Sequence, residues 1–275
     1  MSHAAYDPRC RFSVDDCIWF LRDTALYCKD SLFENGFLRF WRELHEAYGV
    51  KVQFNVYYED GDTGWTLADM PDKFRKEWAS CSNWMRLTFH ARADLPPMPY
   101  RDAGYEHVQA DYRLVTDEIR RFAGEELLSA CTTVHWGMAT KQGCIALRDS
   151  GIEALVGYFR FYDGKPWVAY YLDAEQTAYL STHDTWKDEE TGLLFIKHDL
   201  VLNEVRLHEV LPNLNEILRR PNESEVMELM IHEQYFYPRF SHYQPDAAEK
   251  VRIAAEWVTN QGFRWAFYED WRVDA

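Results

Sequence analysis

Two adjacent carboxylates, Asp15 and Asp16, close a short apolar run at 12–14. Carboxylates side by side repel each other unless a proton or a cation lies between them, or unless both sit in solvent. Three later apolar runs end on histidines: 84–89 on His90, 128–134 on His135 and 226–231 on His232. Asp94 adds an oxygen donor four residues beyond His90. Asp16, His90 and Asp94 together form a ligand set for a divalent ion, with positions left for water or substrate. A mixed nitrogen and oxygen set makes zinc the first expectation and is compatible with manganese and others. A further pair, His198-Asp199, follows the run at 193–197. Asp199 either orients a catalytic histidine, as carboxylates do when they fix a tautomer, or pairs within its own strand. Trp136 and Tyr235 flank these positions and pack either on a sugar ring or in the core.

Such residues can act together only if one scaffold brings their strands to a common rim. The chain alternates strand and helix along its length. Strands are predicted at 12–14, 50–58, 84–90, 128–135, 154–161, within 193–202, at 226–231 and at 263–268. Helices are predicted at 17–26, 36–48, 70–78, 105–122, 140–150, 205–219 (broken by Pro212) and 246–261, whereas 170–181 is ambiguous. The segment Glu59-Asp60-Gly61-Asp62-Thr63-Gly64 is a turn-rich acidic loop that lacks the later ligands of a calcium loop and reads as a solvated turn. No linker or composition shift divides the sequence, so one domain spanning 1–275 is expected. At this length the alternation favours an irregular (β/α) barrel of seven or eight mostly parallel strands over an open doubly wound sheet. The first strand also lacks the glycine-rich phosphate loop that a doubly wound nucleotide binder would carry. In a barrel, strand C-termini gather at one mouth, which is where the aspartates and histidines stand.

Bulk properties narrow the function classes. The 275 residues are 47% hydrophobic and 16% aromatic, enough for a large core. A formal charge of -15 argues against nucleic acid as a partner. The aromatic excess serves as core filler or as stacking surface for sugars. No apolar run is long enough for a membrane span, and 1–11 has no signal-peptide core, so neither membrane nor secretion is expected. Six scattered cysteines without a C-x-x-C pair suit reduced thiols and a cytoplasmic location.

Phe12-Ser13-Val14-Asp15-Asp16 resembles the first motif of the polysaccharide deacetylase (NodB-homology) superfamily, a strand ending in Asp-Asp. The resemblance implies an irregular (β/α) barrel, often of seven strands. It gives Asp15 the role of catalytic base and Asp16 that of metal ligand. His90 matches the first histidine of the second family motif, and Asp94 stands where that motif has its second histidine. Met230-Ile231-His232 is similar to the closing Leu-x-His motif, which makes His232 the general acid. The family's arginine-proline motif is not evident, and His135-Trp136 occupies roughly its place in the order. A divergent member would be a metal-dependent hydrolase that removes an acyl group from an N-acylated carbohydrate. His135, Trp136, Glu233 and Tyr235 are then the expected substrate contacts, with Asp199 supporting the catalytic histidine. Two alternatives stay open. One is a metal-independent glycosidase-type barrel that pairs Asp15 or Asp16 with Glu233. The other is a sugar-binding barrel without catalysis.

Overall fold

The structure, a computed structural model, describes residues 7–220 and 222–270. Its organising strand is β1, Arg9–Cys17, which is longer than the apolar core that predicts it. Cys10, Phe12 and Val14 face outward beneath helices, with the Phe12 ring 5.0 Å from that of Trp41. By the twofold alternation of a strand, Arg11, Ser13 and Asp15 then face the opposite way, into the barrel. On one side β1 pairs in parallel with β11, Val226–His232. On the other it pairs with β2, Val52–Tyr57, which pairs in turn with β3, Met85–Ala91.

Between β3 and the next strand the ladder nearly fails. β4 is reduced to Cys131–Thr132, and one isolated bridge, Leu87 to Leu128, joins the two sides. Side chains close this seam: Thr132 Oγ1 donates to the Phe89 carbonyl and His90 Nδ1 to the Thr133 carbonyl. The sheet continues through β5, Ala154–Gly157, to β9, Leu194–Lys197. The chain then breaks at His198 and Asp199 and changes partner, and β10, Leu200–Val201, pairs with β11. The 194–201 segment therefore closes the circle as the last of seven parallel staves, counting β9 and β10 as one.

The flanking helices follow their sequence signals. α1 spans Trp19–Tyr27 and α2 spans Gly36–Tyr48. The Asn35 side chain caps α2 by accepting from Phe37 N and Leu38 N, and Gly49 ends it at φ 74. Phe37, Leu38, Phe40, Trp41 and Leu44 form its buried face, each contributing about 1.5–3 kcal/mol on burial. Trp41→Ala, with its ring fully buried, is the single change most damaging to this contact, at about 3–5 kcal/mol. Next come α3, Arg75–Ser80, α4, Tyr105–Phe122, and α5, Lys141–Asp149. The ambiguous 170–181 region contains α6, Ala174–Leu180, opened by an Asp173/Gln176 capping box. α7, Val210–Leu218, begins late enough to hold Pro212 in its first turn, where a missing N–H costs nothing, so the helix is intact. α8, Ala247–Asn260, is followed by β12, Arg264–Trp265, which pairs with Arg9 and Cys10 before β2 begins.

Two antiparallel additions depart from the parallel pattern. The strand predicted at 154–161 stops at Gly157, and Arg160–Tyr162 (β6) instead forms a hairpin with Lys165–Trp167 (β7). Asp163 and Gly164, at φ 49 and 70, make the two-residue turn. β8, Thr185–Lys187, pairs antiparallel with β9. The acidic loop at 59–64 is not simply solvated, because Asp60 is buried and accepts from Arg22 Nη1, Thr63 Oγ1 and Asp62 N. All six cysteines are buried and free. Among the described residues no helix is long and apolar enough to cross a membrane.

Candidate metal centre and active site

Adjacent residues on a strand point to opposite faces, so Asp15 and Asp16 should not both reach the mouth. Asp16 does so because its backbone turns into the left-handed region, φ 61, and the pairing of β1 with β2 shifts register between Val14 and Cys17. This local irregularity converts an alternating pair into a convergent one.

Around Asp16 stand two histidines from the two sides of the β3/β4 seam. His90 Nε2 lies 3.0 Å from Asp16 Oδ1. His135 Nδ1 lies 3.2 Å from the same oxygen and 3.3 Å from His90 Nε2. The Thr133 carbonyl can only accept, so His90 Nδ1 carries a proton, and in the neutral ring Nε2 presents a lone pair to the carboxylate. Lone-pair-bearing atoms this close require a proton or a cation among them. Tetrahedral zinc, with ligands at about 2.0–2.2 Å, sets its donors about 3.3–3.6 Å apart. The residues therefore fit a divalent ion held by Asp16, His90 and His135, whose ligand atoms all lie within 4.8 Å of one another. Tyr57 supports them from β2, donating to Asp16 Oδ1, with its hydroxyl 2.8 Å from His135 Nδ1.

This set differs from the one expected from sequence. His135, expected as a substrate contact, stands among the ligand atoms. Asp94 stands outside, with its Oδ1 3.6 Å from His135 Nε2 and its side chain 63% exposed. The physical reason lies in β4, which ends at Thr132 and lets the following turn fold His135 back over the seam.

Charge follows the same geometry. Burial raises Asp16, but His135, His232 and His90 outweigh it and hold the carboxyl well below its ordinary range. Burial pushes Asp15 up, against the pull of His90 and His232. Asn55 Nδ2 donates to Asp15 Oδ1. Burial lowers His90, yet its bond to Asp16 and the charges of Asp15 and Asp16 leave it raised.

Across the mouth, His232 Nε2 is 4.0 Å from Asp16 Oδ2. Its Nδ1 lies 2.9 Å from Asn203 Oδ1, which also accepts from the His232 backbone N–H at 3.1 Å. The backbone N–H can only donate, so the amide presents its oxygen, Nδ1 bears a proton, and Nε2 is the atom turned to the pocket. Asn203 thus orients His232, the part assigned by sequence to Asp199. Asp199 is buried away from the mouth, accepting from Glu228 N at 2.8 Å and lying 3.2 Å from Lys197 Nζ. Glu233 is likewise no substrate contact. It is fully buried, and its carboxylate accepts from the backbone N–H groups of Ile18, Trp19 and Phe20 at the start of α1. The carboxylate-pair alternative loses its second member with it. His198 does reach the pocket, where burial holds it neutral and well below its usual range.

The pocket has a volume of about 460 Å³, and its lining includes Asp15, Asp16, His90, His135, His232 and Asp94. Trp136 and Tyr235 also face it, as do Trp167 and Arg160 from the hairpin. Several of these contributors were missed in the sequence. Gln53, Asn55 and Tyr57 alternate as polar residues on one face of a predicted strand, a signal that an inward polar row was present. Asn203 gave no such signal, whereas the hairpin did in part, through the Asp163-Gly164 turn that follows the strand predicted at 154–161.

Fold and site define a seven-staved (β/α) barrel with a candidate Asp/His/His metal centre at the C-terminal ends of its strands. No family model matches the sequence, and no curated protein matches it. Solved structures do resemble the fold. A 4-α-glucanotransferase from Thermococcus litoralis aligns over 98% of this chain with a TM-score of 0.63 and 12% identity. The chain spans 40% of that protein's length. A family 4 acetyl xylan esterase from Clostridium thermocellum, in complex with a cobalt ion, aligns over 95% of this chain and 88% of its own, with a TM-score of 0.48 and 10% identity. A peptidoglycan deacetylase from Bacillus subtilis aligns over 96% and 89%, with a TM-score of 0.44 and 7% identity. At 12% identity the likeness to the glucanotransferase is one of fold.

Proposed function

We propose that the protein is a metal-dependent hydrolase that removes an acyl group from an N-acylated carbohydrate, as a divergent relative of the polysaccharide deacetylases. The observation that carries this reading is the convergence of Asp16, His90 and His135 on one point, with Asp15 and His232 beside it. Asp16, His90 and His135 would hold the ion, which when bound polarises an acyl carbonyl and lowers the pKa of water. Asp15, held by Asn55 and raised by burial, is the base that takes the proton of the attacking water. His232, fixed through Nδ1 by Asn203, gives a proton from Nε2 to the departing amine. Tyr57 holds the Asp16 carboxylate in place. Trp136 and Tyr235 offer ring faces to the sugar.

The test is acetate release from N-acetylated oligosaccharides by purified protein, before and after chelation and after zinc is returned. Loss on chelation and recovery with metal support the reading. Chelator-resistant cleavage of glycosidic bonds would instead favour the glycosidase-type alternative.

A further inference from the structure

Five of the nine large apolar side chains that stand exposed among the described residues belong to segments bounding the pocket. Leu95 follows β3, Trp136 follows β4, Phe161 and Tyr162 follow β5, and Tyr243 follows β11. Each of these segments also lines the pocket, through Asp94, Trp136, Arg160 and Phe240. The other four, Leu26, Tyr27, Tyr179 and Leu211, are spread over α1, α6 and α7. Single exposed apolar residues are ordinary, whereas several around one opening mark a surface that something else covers.

The β6–β7 hairpin is the most exposed of these segments, and its strands pair only with each other. Phe161 faces its cross-strand partner Pro166, and Tyr162 faces Lys165, with the Tyr162 and Trp167 rings 5.8 Å apart. By strand alternation these pairs occupy opposite faces of the arm, yet Phe161 and Tyr162 remain 45% and 71% exposed. The arm is firmly rooted. Tyr158 N and Phe159 N both donate to the Val168 carbonyl, and Tyr170 N donates to the Gly137 carbonyl at 2.7 Å.

Charge on this rim departs from that of the chain. Segments 92–102, 158–168 and 235–245 carry five basic residues and three acidic ones, in a chain whose formal charge is -15. By contrast 59–64, beyond β2, is acidic and contains no large apolar side chain. Exposed charges more than about 8 Å away are largely screened at physiological ionic strength, so a facing surface meets the basic groups of the rim itself. Tyrosine and tryptophan beside arginine and lysine form the combination that settles at the boundary between lipid head groups and acyl chains. Docking of this kind needs no membrane-spanning helix. A protein partner pressed on the same rim would close the pocket, whereas a bilayer that carries the substrate covers the rim and feeds the pocket at once.

We propose that the mouth of the barrel docks on a lipid bilayer through Leu95, Phe161, Tyr162 and Tyr243, and that the acylated sugar reaches the site as the head group of a membrane lipid. The docking stands on the rim alone, and the nature of the substrate rests on the hydrolase reading.

The test is co-sedimentation of purified protein with vesicles of phosphatidylcholine mixed with phosphatidylglycerol. The expected result is binding of the unaltered protein, with a partition constant that falls about tenfold when Phe161→Ser and Tyr162→Ser are combined. Leu26→Ser combined with Tyr27→Ser, on α1, should leave it unchanged. Thermal melting reports whether each variant is folded. Leu95→Ser combined with Tyr243→Ser, expected to show the same loss, is read if the hairpin variant is not. Protein that stays in the supernatant overturns the inference. So does an unchanged partition constant in a folded rim variant, or an equal loss in the α1 variant. Acetate release is measured separately, from a soluble N-acetylated oligosaccharide and from an N-acetylglucosaminyl lipid in the same vesicles. Faster release from the lipid supports the substrate assignment, and faster release from the soluble sugar overturns it. Release from neither, with vesicle binding intact, removes the hydrolase reading and leaves the docking surface standing.

Discussion

Removing His135 should cost metal affinity far more than removing Asp94, and this contrast separates the structural ligand set from the one suggested by sequence spacing. His135 Nδ1 lies 3.2 Å from Asp16 Oδ1 and 3.3 Å from His90 Nε2, within the ring of donor atoms. Asp94 is 3.6 Å from the far nitrogen of His135 and mostly exposed. Structural zinc sites with four ligands bind with about 10–16 kcal/mol, or roughly 2.5–4 kcal/mol per ligand. Deleting one of three protein ligands should therefore weaken binding by about 10²–10³-fold. A supporting group typically contributes about 10–100-fold, and solvent exposure puts Asp94 at or below the lower end. Competition with a chromophoric chelator, for zinc-loaded His135→Ala and Asp94→Ala proteins, gives both constants. Melting curves of the metal-free forms check that the barrel is intact. If Asp94→Ala loses as much affinity as His135→Ala, or more, the assignment of ligands made from geometry is refuted.

Asp15→Asn and His232→Asn should each lower kcat by about 10²–10⁴-fold while metal content stays unchanged, as read by acetate release and metal analysis on the same samples. Loss of metal in either variant would place that residue among the ligands. In the barrel interior Arg11 donates to Glu228, and both are almost fully buried. Arg11→Met should lower stability by about 3–5 kcal/mol, and adding Glu228→Leu should restore most of it; a double variant no more stable than the single in denaturant titration contradicts this account. Burial pushes Asp199 up to about 8, against Lys197, and Glu228 up to about 7, against Arg11. Both lie above their unfolded values of about 4, so the folded state holds more protons and their contribution to stability is lost as pH rises from about 4 through 8. The buried neutral His198 works in the opposite sense below about pH 6.5, so the melting midpoint is best followed from about 6.5 to 8, where it should fall and where Asp199→Asn should reduce the slope. A midpoint that rises over that interval refutes the argument.

Three adjacent pairs show what the sequence made legible and what it concealed. Asp15-Asp16, His198-Asp199 and His232-Glu233 all fall at strand ends, and proximity alone suggests that both members of each reach the mouth. Strand alternation predicts that only one does. His198 and His232 face the pocket, while Asp199 and Glu233 turn away into backbone and lysine contacts. Asp16 escapes the rule through its positive φ, a feature that no pattern of apolar residues reports. The barrel itself was readable because long-range order follows from the repeated strand and helix periods. The β3/β4 seam was not, because its closure depends on His90 and Thr132 side chains reaching across a gap in the ladder. The position of His135 depends on that seam, and so did the choice of third ligand. The arrival of Asn203 behind His232 depends on the partner switch between β9 and β10, which has no local signature.

The proposed function rests on Asp16, His90 and His135 forming a site for a divalent cation. Anomalous diffraction at the zinc edge, from crystals of zinc-loaded protein, tests this most directly. The expected result is a single strong peak about 2.0–2.2 Å from an Asp16 oxygen, His90 Nε2 and a His135 ring nitrogen. A peak held by Asp94 without His135, or no peak at the mouth at full zinc occupancy in solution, would contradict it.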